Sequence, residues 1–387
     1  MTAQHLIHPP RLWVPDRSKH RRVTWMELFF DLIFVAAVAE VSAPLGHDYS
    51  LAGLVRYVFL FVLIWWAWNG HTVYTTRFDH DDLPQRLLVL LQCFIAAVMA
   101  ANAREALDSR SSAGFGAAYA GMRIVLVVQY LRARRLPETR DLTTRYAAGF
   151  GAAAILWIAS AFLDAPARYW VWGAALALDF ATPWLASKHN MRFPPDASHF
   201  PERFGLFTII LLGEFIIAVM HGIESQEYWS LPAATTAFSS MAFAFVVRWW
   251  YFDVARAAEE RHVRSRRQEA RFQLWQYAHL PLFLGIAVVG VGFERLISPE
   301  GEHHMARAEG WILCSAAALL GAALATIGAA SGLARSRVAA QLGMAMAALA
   351  LGAVAADLHR VAVVITLLTL CCAQTLLGRA TPLRPLP

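Results

Sequence analysis

Twelve stretches of about twenty mostly apolar residues recur along this 387-residue chain, and that recurrence limits its fold more than any motif does. Inside hydrocarbon each backbone N–H and C=O has to be satisfied within its own segment, so runs of this length span as helices. The segments read as 23–41, 51–75, 85–103, 112–131, 146–163, 168–186, 204–222, 231–252, 274–293, 311–330, 338–356 and 360–378. The fold class expected is therefore all-α, a polytopic transmembrane bundle. Apolar side chains make up 58% of the chain and charged ones only 16%, a balance that a water-soluble globule of this size does not show.

Charge distribution gives an independent check on the number of crossings. If the division is right, Lys and Arg gather in alternate connections. They do: 25 fall on the side of the N-terminus and 6 on the other, which predicts an even number of helices with both termini cytoplasmic. The net charge of +6 is spread between apolar runs rather than gathered in a basic domain, so nucleic acid is not an expected partner. The first residues, MTAQHLIHPPRLWVPDRSKHRR, contain no apolar stretch fit for a cleaved signal peptide, and the first helix is expected to stay as an anchor.

An internal repeat is visible at an offset of about 184 residues. Trp65-Trp66-Ala67-Trp68-Asn69 matches Trp249-Trp250-Tyr251-Phe252-Asp253, Leu91-Gln92 matches Trp275-Gln276, and Asp31 is answered by Glu214. Six crossings separate the copies, which predicts two tandem six-helix repeats of one orientation, 23–187 and 203–379, after a basic segment 1–22. The match fades over the last three Ala-rich helices.

Ionisable groups within the apolar runs are the residues where chemistry is expected, because each costs roughly 2.5 to 3.5 kcal/mol to insert. Glu27 and Asp31 stand four apart on the first helix and so share a face. Glu214 lies in the seventh helix, Arg123 and Asp179 near the middles of the fourth and sixth, Arg248 and Asp253 towards the end of the eighth, and His279 in the ninth beside Pro281. These residues read equally as a polar path for a small ion or solute and as buried ion pairs that hold helices together, such as Arg123 with Asp31 or Asp179. His279 reads more simply as a hydrogen-bonded packing residue than as a proton relay. The connection Arg77-Phe78-Asp79-His80-Asp81-Asp82-Leu83-Pro84-Gln85-Arg86 has carboxylates enough for a divalent cation, but acids at the start of the third helix are better explained as caps.

Several chemistries are not expected. The lysines, Lys19 and Lys188, both lie outside the helices, so a retinal Schiff base has no attachment point. Phosphate-loop, zincin and nucleophile-elbow motifs do not occur. Cys93, Cys314, Cys371 and Cys372 lack metal-ligand spacing. No cofactor or metal is predicted, and no enzyme class.

Met26-Glu27-Leu28-Phe29-Phe30-Asp31-Leu32-Ile33-Phe34-Val35 resembles the bacterial low temperature requirement A family of membrane proteins. Three more stretches share the resemblance: Arg77-Phe78-Asp79 with Asp82 and Arg86, Glu202-Arg203-Phe204-Gly205-Leu206-Phe207 running to Leu212-Gly213-Glu214, and His279-Leu280-Pro281 with Gly285. It covers roughly residues 25 to 293. The resemblance implies a helical membrane protein and makes Asp79, Asp82, Arg86, Glu202, Arg203 and Gly213 site candidates beside the buried acids. It implies no particular reaction. Two functions therefore stand open: transport or conduction along a path between the repeats, and a non-transporting membrane enzyme or sensor that handles a lipid or lipid-soluble ligand.

Overall fold

The computed structural model describes residues 10–12, 23–79, 82–108, 111–190, 192–196, 199–228, 230–255, 266–298 and 304–380. Among these, twelve helices are at least 19 residues long: α1 (Trp25–His47), α2 (Leu51–Arg77), α3 (Leu83–Ala101), α4 (Ser112–Ala133), α5 (Arg140–Ser160), α6 (Ala167–Leu185), α8 (His199–Glu224), α9 (Leu231–Ala255), α10 (Arg266–Ile297), α11 (Arg307–Ala330), α12 (Arg335–Val354) and α13 (Arg360–Ala380). A four-residue helix, α7 (Ser187–Asn190), separates the first six from the rest. The extended residues β1 (Arg11–Leu12) and β2 (Phe78–Asp79) pair antiparallel.

Each of the twelve apolar stretches is a helix. Several helices run past the stretch that foretold them. α8 begins at His199, five residues before the apolar run, and α10 begins at Arg266. Hydropathy marks only the part of a helix that lies in hydrocarbon, whereas helical hydrogen bonding continues into polar surroundings. Among the described residues nine helices are long and apolar enough to cross a bilayer; α5, α6 and α13 are not among them, α13 because its apolar part, Arg360–Leu376, is shorter. The first two turns of α5 carry Arg140, Asp141, Thr143, Thr144 and Arg145, and α6 carries Asp179 and Pro183, which lowers their mean hydropathy.

The chain divides into two compact units, the first made of Met1–Val41, Phe59–Arg203 and His262–Arg266, the second of Ser42–Val58, Phe204–Arg261 and Arg267–Pro387. In the first, α4 packs between α3 and α5, and α5 packs on α6. In the second, α11 packs on α12, and α9 packs on α13. In the second unit small residues also let α10 approach α8 and α11 closely. A Cβ on Gly222 of α8 would stand 2.8 Å from the Glu294 carbonyl oxygen of α10, and one on Gly285 of α10 would stand 3.0 Å from the Ala316 carbonyl oxygen of α11.

Polarity is arranged inside out. On α3 the exposed face is Leu83, Leu87, Leu90, Leu91, Phe94 and Val98, while the buried face includes Gln85 and Gln92. Water as the outer solvent would favour the reverse, so this face is built for lipid.

Candidate functional site

The most heavily charged interior of the first unit forms where the start of α1, the end of α2 and the start of α8 meet. Thr24-Trp25-Met26-Glu27 is a capping box: the Thr24 N–H donates to Glu27 Oε2 at 2.9 Å, and the Glu27 N–H donates to Thr24 Oγ1 at 3.2 Å. This fixes the Glu27 side chain with its other oxygen facing inwards. One turn on, Asp31 lies on the same face.

Arg203 joins the two acids. Its Nη2 and Nε donate to Asp31 Oδ1 and Oδ2 at 2.5 and 3.1 Å, a bidentate pair, and its Nη1 lies 3.1 Å from Glu27 Oε1. Asp31 also accepts the Trp68 indole N–H at 2.7 Å. His199, one turn before Arg203, places Nε2 3.1 Å from Glu27 Oε1 and Nδ1 3.7 Å from Glu202 Oε2. Because a carboxylate only accepts, the His199–Glu27 bond requires a proton on Nε2. The position of His199 is set by Asp196, whose Oδ1 accepts the His199 backbone N–H at 2.7 Å. Asp31, His199 and Arg203 are fully buried and Glu27 nearly so.

From this cluster a polar stripe runs along α2. Trp68, His71, Thr72 and Thr75 are spaced 3, 1 and 3 apart, hence on one helical face, and all are buried. Thr75 Oγ1 lies 3.5 Å from Arg203 Nη1. His71 stacks on Phe30, ring centroids 4.0 Å apart, and lies beside Gln92 of α3, while the Thr72 Oγ1 hydroxyl has no hydrogen-bond partner among the described residues. Between α3 and α4, Gln129 Nε2 donates to Gln92 Oε1 at 3.2 Å.

Arg123, near the middle of α4, is paired with Asp179 of α6, Nε to Oδ2 2.9 Å, and both are buried. Its Nη2 meets the Tyr119 hydroxyl at 2.6 Å, and its guanidinium lies over the Tyr119 and Phe150 rings. Of the acids open to it in the sequence, Asp179 is the partner, while Asp31 is taken by Arg203.

The remaining candidates are dispersed. Asp82 caps α3, its Oδ1 accepting the Gln85 N–H at 3.1 Å, and its Oδ2 accepts from Arg132 Nη2 at 2.7 Å. This is the capping role expected of the 77–86 connection. Asp79 pairs through its backbone with Arg11, Arg86 is exposed, and His80 and Asp81 lie outside the described residues. In the second unit Glu214 and Asp253 are half-buried, and Arg248 is exposed with its guanidinium over the Phe252 ring at 5.5 Å. A Cβ on Gly213 would meet nothing within 4 Å. His279 is buried: Nδ1 donates to the Trp275 carbonyl at 2.8 Å, which leaves Nε2 to accept from the Tyr251 hydroxyl at 3.1 Å. Aromatic rings of Phe204, Trp275 and Phe283 surround it, and α10 continues through Pro281. Among the described residues no three His, Cys, Asp or Glu side chains are grouped to hold a metal ion.

Reasoning from sequence alone does not find His199, Trp68, Thr75 or Tyr119. His199 stands in a polar stretch before an apolar run, where no hydropathy signal reaches it. The polar stripe on α2 has a legible signal, the 3-1-3 spacing of Trp68, His71, Thr72 and Thr75.

Apolar faces turned outwards and paired charges turned inwards define a polytopic helical membrane protein. The chain belongs to the bacterial low temperature requirement A protein family, whose model matches residues 22–374. It is also similar to an uncharacterized protein of Rhizobium meliloti (strain 1021), 29% identical over 293 residues that cover 72% of this chain and 70% of the relative.

Proposed function

We propose that this protein carries a small cation, in the simplest case a proton, across the bacterial cytoplasmic membrane, and that Glu27, Asp31, Arg203 and His199 form the charged element controlling that passage. The observation that carries this reading is a buried cluster in which two carboxylates, a guanidinium and an imidazole meet at hydrogen-bond distance. A proton gained or lost within this cluster changes its net charge. An uncompensated buried charge costs several kcal/mol, so arrival of a proton or another cation changes the energy of the cluster by a comparable amount. The buried His71 ring and the Thr72 hydroxyl, which has no partner among the described residues, support a path that continues inwards along α2, since such groups exchange hydrogen bonds with water or a passing species.

On the charge count both termini lie in the cytoplasm, and the cluster, at the starts of α1 and α8, then lies nearer the inner face of the membrane. The halves 23–187 and 203–379 act as two related six-helix repeats, and Glu214 is then the acid of the second half that answers Asp31.

The test is flux into liposomes holding the purified protein and an entrapped pH dye, driven by a potassium diffusion potential. The wild type is expected to carry protons, and Asp31→Asn and His199→Gln each to slow the flux at least tenfold while remaining folded. Folded wild-type protein that passes neither protons nor alkali cations would sink this reading.

A further inference from the structure

We propose that Arg77 and Tyr130, held by Tyr146 and Asn190, form a binding site for a phosphoryl oxyanion at the end of α2. Arg77 is the last residue of that helix and is 2% exposed. Its Nη2 donates to Asn190 Oδ1 at 3.1 Å and its guanidinium lies 5.5 Å from the centre of the Tyr146 ring. Nε and Nη1, which hold three of the five N–H donors of the side chain, have no acceptor among the described residues. Tyr130 stacks on the same Tyr146 ring, centroids 4.8 Å apart, and its buried hydroxyl has no partner among the described residues either.

Asn190 cannot make up the deficit. Its Oδ1 already accepts from Arg77 and, at 3.0 Å, from the Tyr146 hydroxyl, while its Nδ2 donates to the Pro183 carbonyl at 3.0 Å. The cluster is thus rich in donors and short of negative charge. Arg123, Arg132 and Arg203 each have a carboxylate within 3 Å, and among the described residues Arg77 has none at ion-pair distance.

Two further features favour an anion over a chance gap. The guanidinium is not free to swing out to water, because Phe78, the next residue, is packed against Tyr74 and Tyr130 in a buried aromatic cluster that also holds Tyr146 and Phe150. Depth selects the ligand: the 27 residues of α2 extend roughly 40 Å, about 10 Å more than a bilayer's hydrocarbon core, so its terminal residue reaches the level of phospholipid phosphates. A phosphoryl group offers the several acceptor oxygens that three N–H groups and one hydroxyl require. It comes either from inorganic phosphate or from an anionic phospholipid headgroup.

Both sources are tested on the purified full-length chain. In detergent, inorganic phosphate should raise the melting temperature in a saturable way that chloride at equal ionic strength does not reproduce. If the source is lipid, native mass spectrometry should instead find phosphatidylglycerol retained through delipidation, with phosphatidylcholine lost. Arg77→Gln should abolish whichever binding occurs. Tyr130→Phe, which keeps the ring, should weaken it roughly tenfold and preserves the test if Arg77→Gln does not fold. Wild type that neither responds to phosphate nor retains the anionic lipid more than the two variants do would overturn the proposal. Neither variant touches the Glu27, Asp31, Arg203 and His199 cluster, so the outcome is independent of the flux measurement.

Discussion

Neutralising Arg123 gives the sharpest stability test of the buried charges. Arg123 lies eleven residues into the 22-residue α4, roughly 16 Å from either helix end, too deep for its head to reach water by extension along the helix. It is 1% exposed and Asp179 is fully buried, with 2.9 Å between Nε and Oδ2. Arg123→Gln strands the Asp179 carboxylate, at a cost of about 3 to 5 kcal/mol. At about 2 °C per kcal/mol for a unit of this size, the melting temperature should fall by about 6 to 10 °C. Asp179→Asn should cost a similar amount by stranding the guanidinium. Tyr119→Phe removes one hydrogen bond to a charged group and should cost about 1.5 to 3 kcal/mol. Arg123→Gln combined with Asp179→Asn should be more stable than either single change, because no charge is then left unpaired. The assay is thermal unfolding in detergent, followed by size-exclusion chromatography of the surviving protein. An Arg123→Gln protein as stable as the wild type would refute the reasoning, and so would rescue by Asp31→Asn in place of Asp179→Asn.

Three other outcomes are expected. Gly222→Ala should lower stability by about 1 to 3 kcal/mol, because its Cβ would press on the Glu294 carbonyl and Ile297, whereas Gly213→Ala should be tolerated; equal melting temperatures for the two would contradict the packing described. Thr24→Ala should cost about 1 kcal/mol in the same assay by opening the cap of α1, and should also slow the proposed proton flux by releasing Glu27; unchanged stability would remove the capping box from the account. With Cys372 changed to Ser, single cysteines at Glu105 and Ser225 should react with an impermeant thiol reagent from outside intact cells, and those at Glu138 and Ser336 should not; the opposite pattern would invert the orientation assigned from the Lys and Arg count.

The sequence by itself determined the helices. Lipid lets a backbone hide its polar groups only by local hydrogen bonding, so a local property, twenty apolar residues in a row, was enough to find all twelve. It also determined that charge lies deep in α1, α4, α6 and α8, and that Glu27 and Asp31 share a face, since both follow from position along one helix. What it left open was pairing. Arg203 stands 172 residues from Asp31, and Arg123 stands 56 from Asp179. No local period links such positions, and Asp31 and Asp179 were equally available to Arg123. Tertiary packing decided among them, because a buried charge has to be met at hydrogen-bond distance and only the folded bundle fixes which side chains come within it. The same reason accounts for His199 and for the unpaired donors of Arg77: hydropathy scores a residue by its own chemistry, whereas a buried polar group becomes significant through the partner that the fold supplies or withholds.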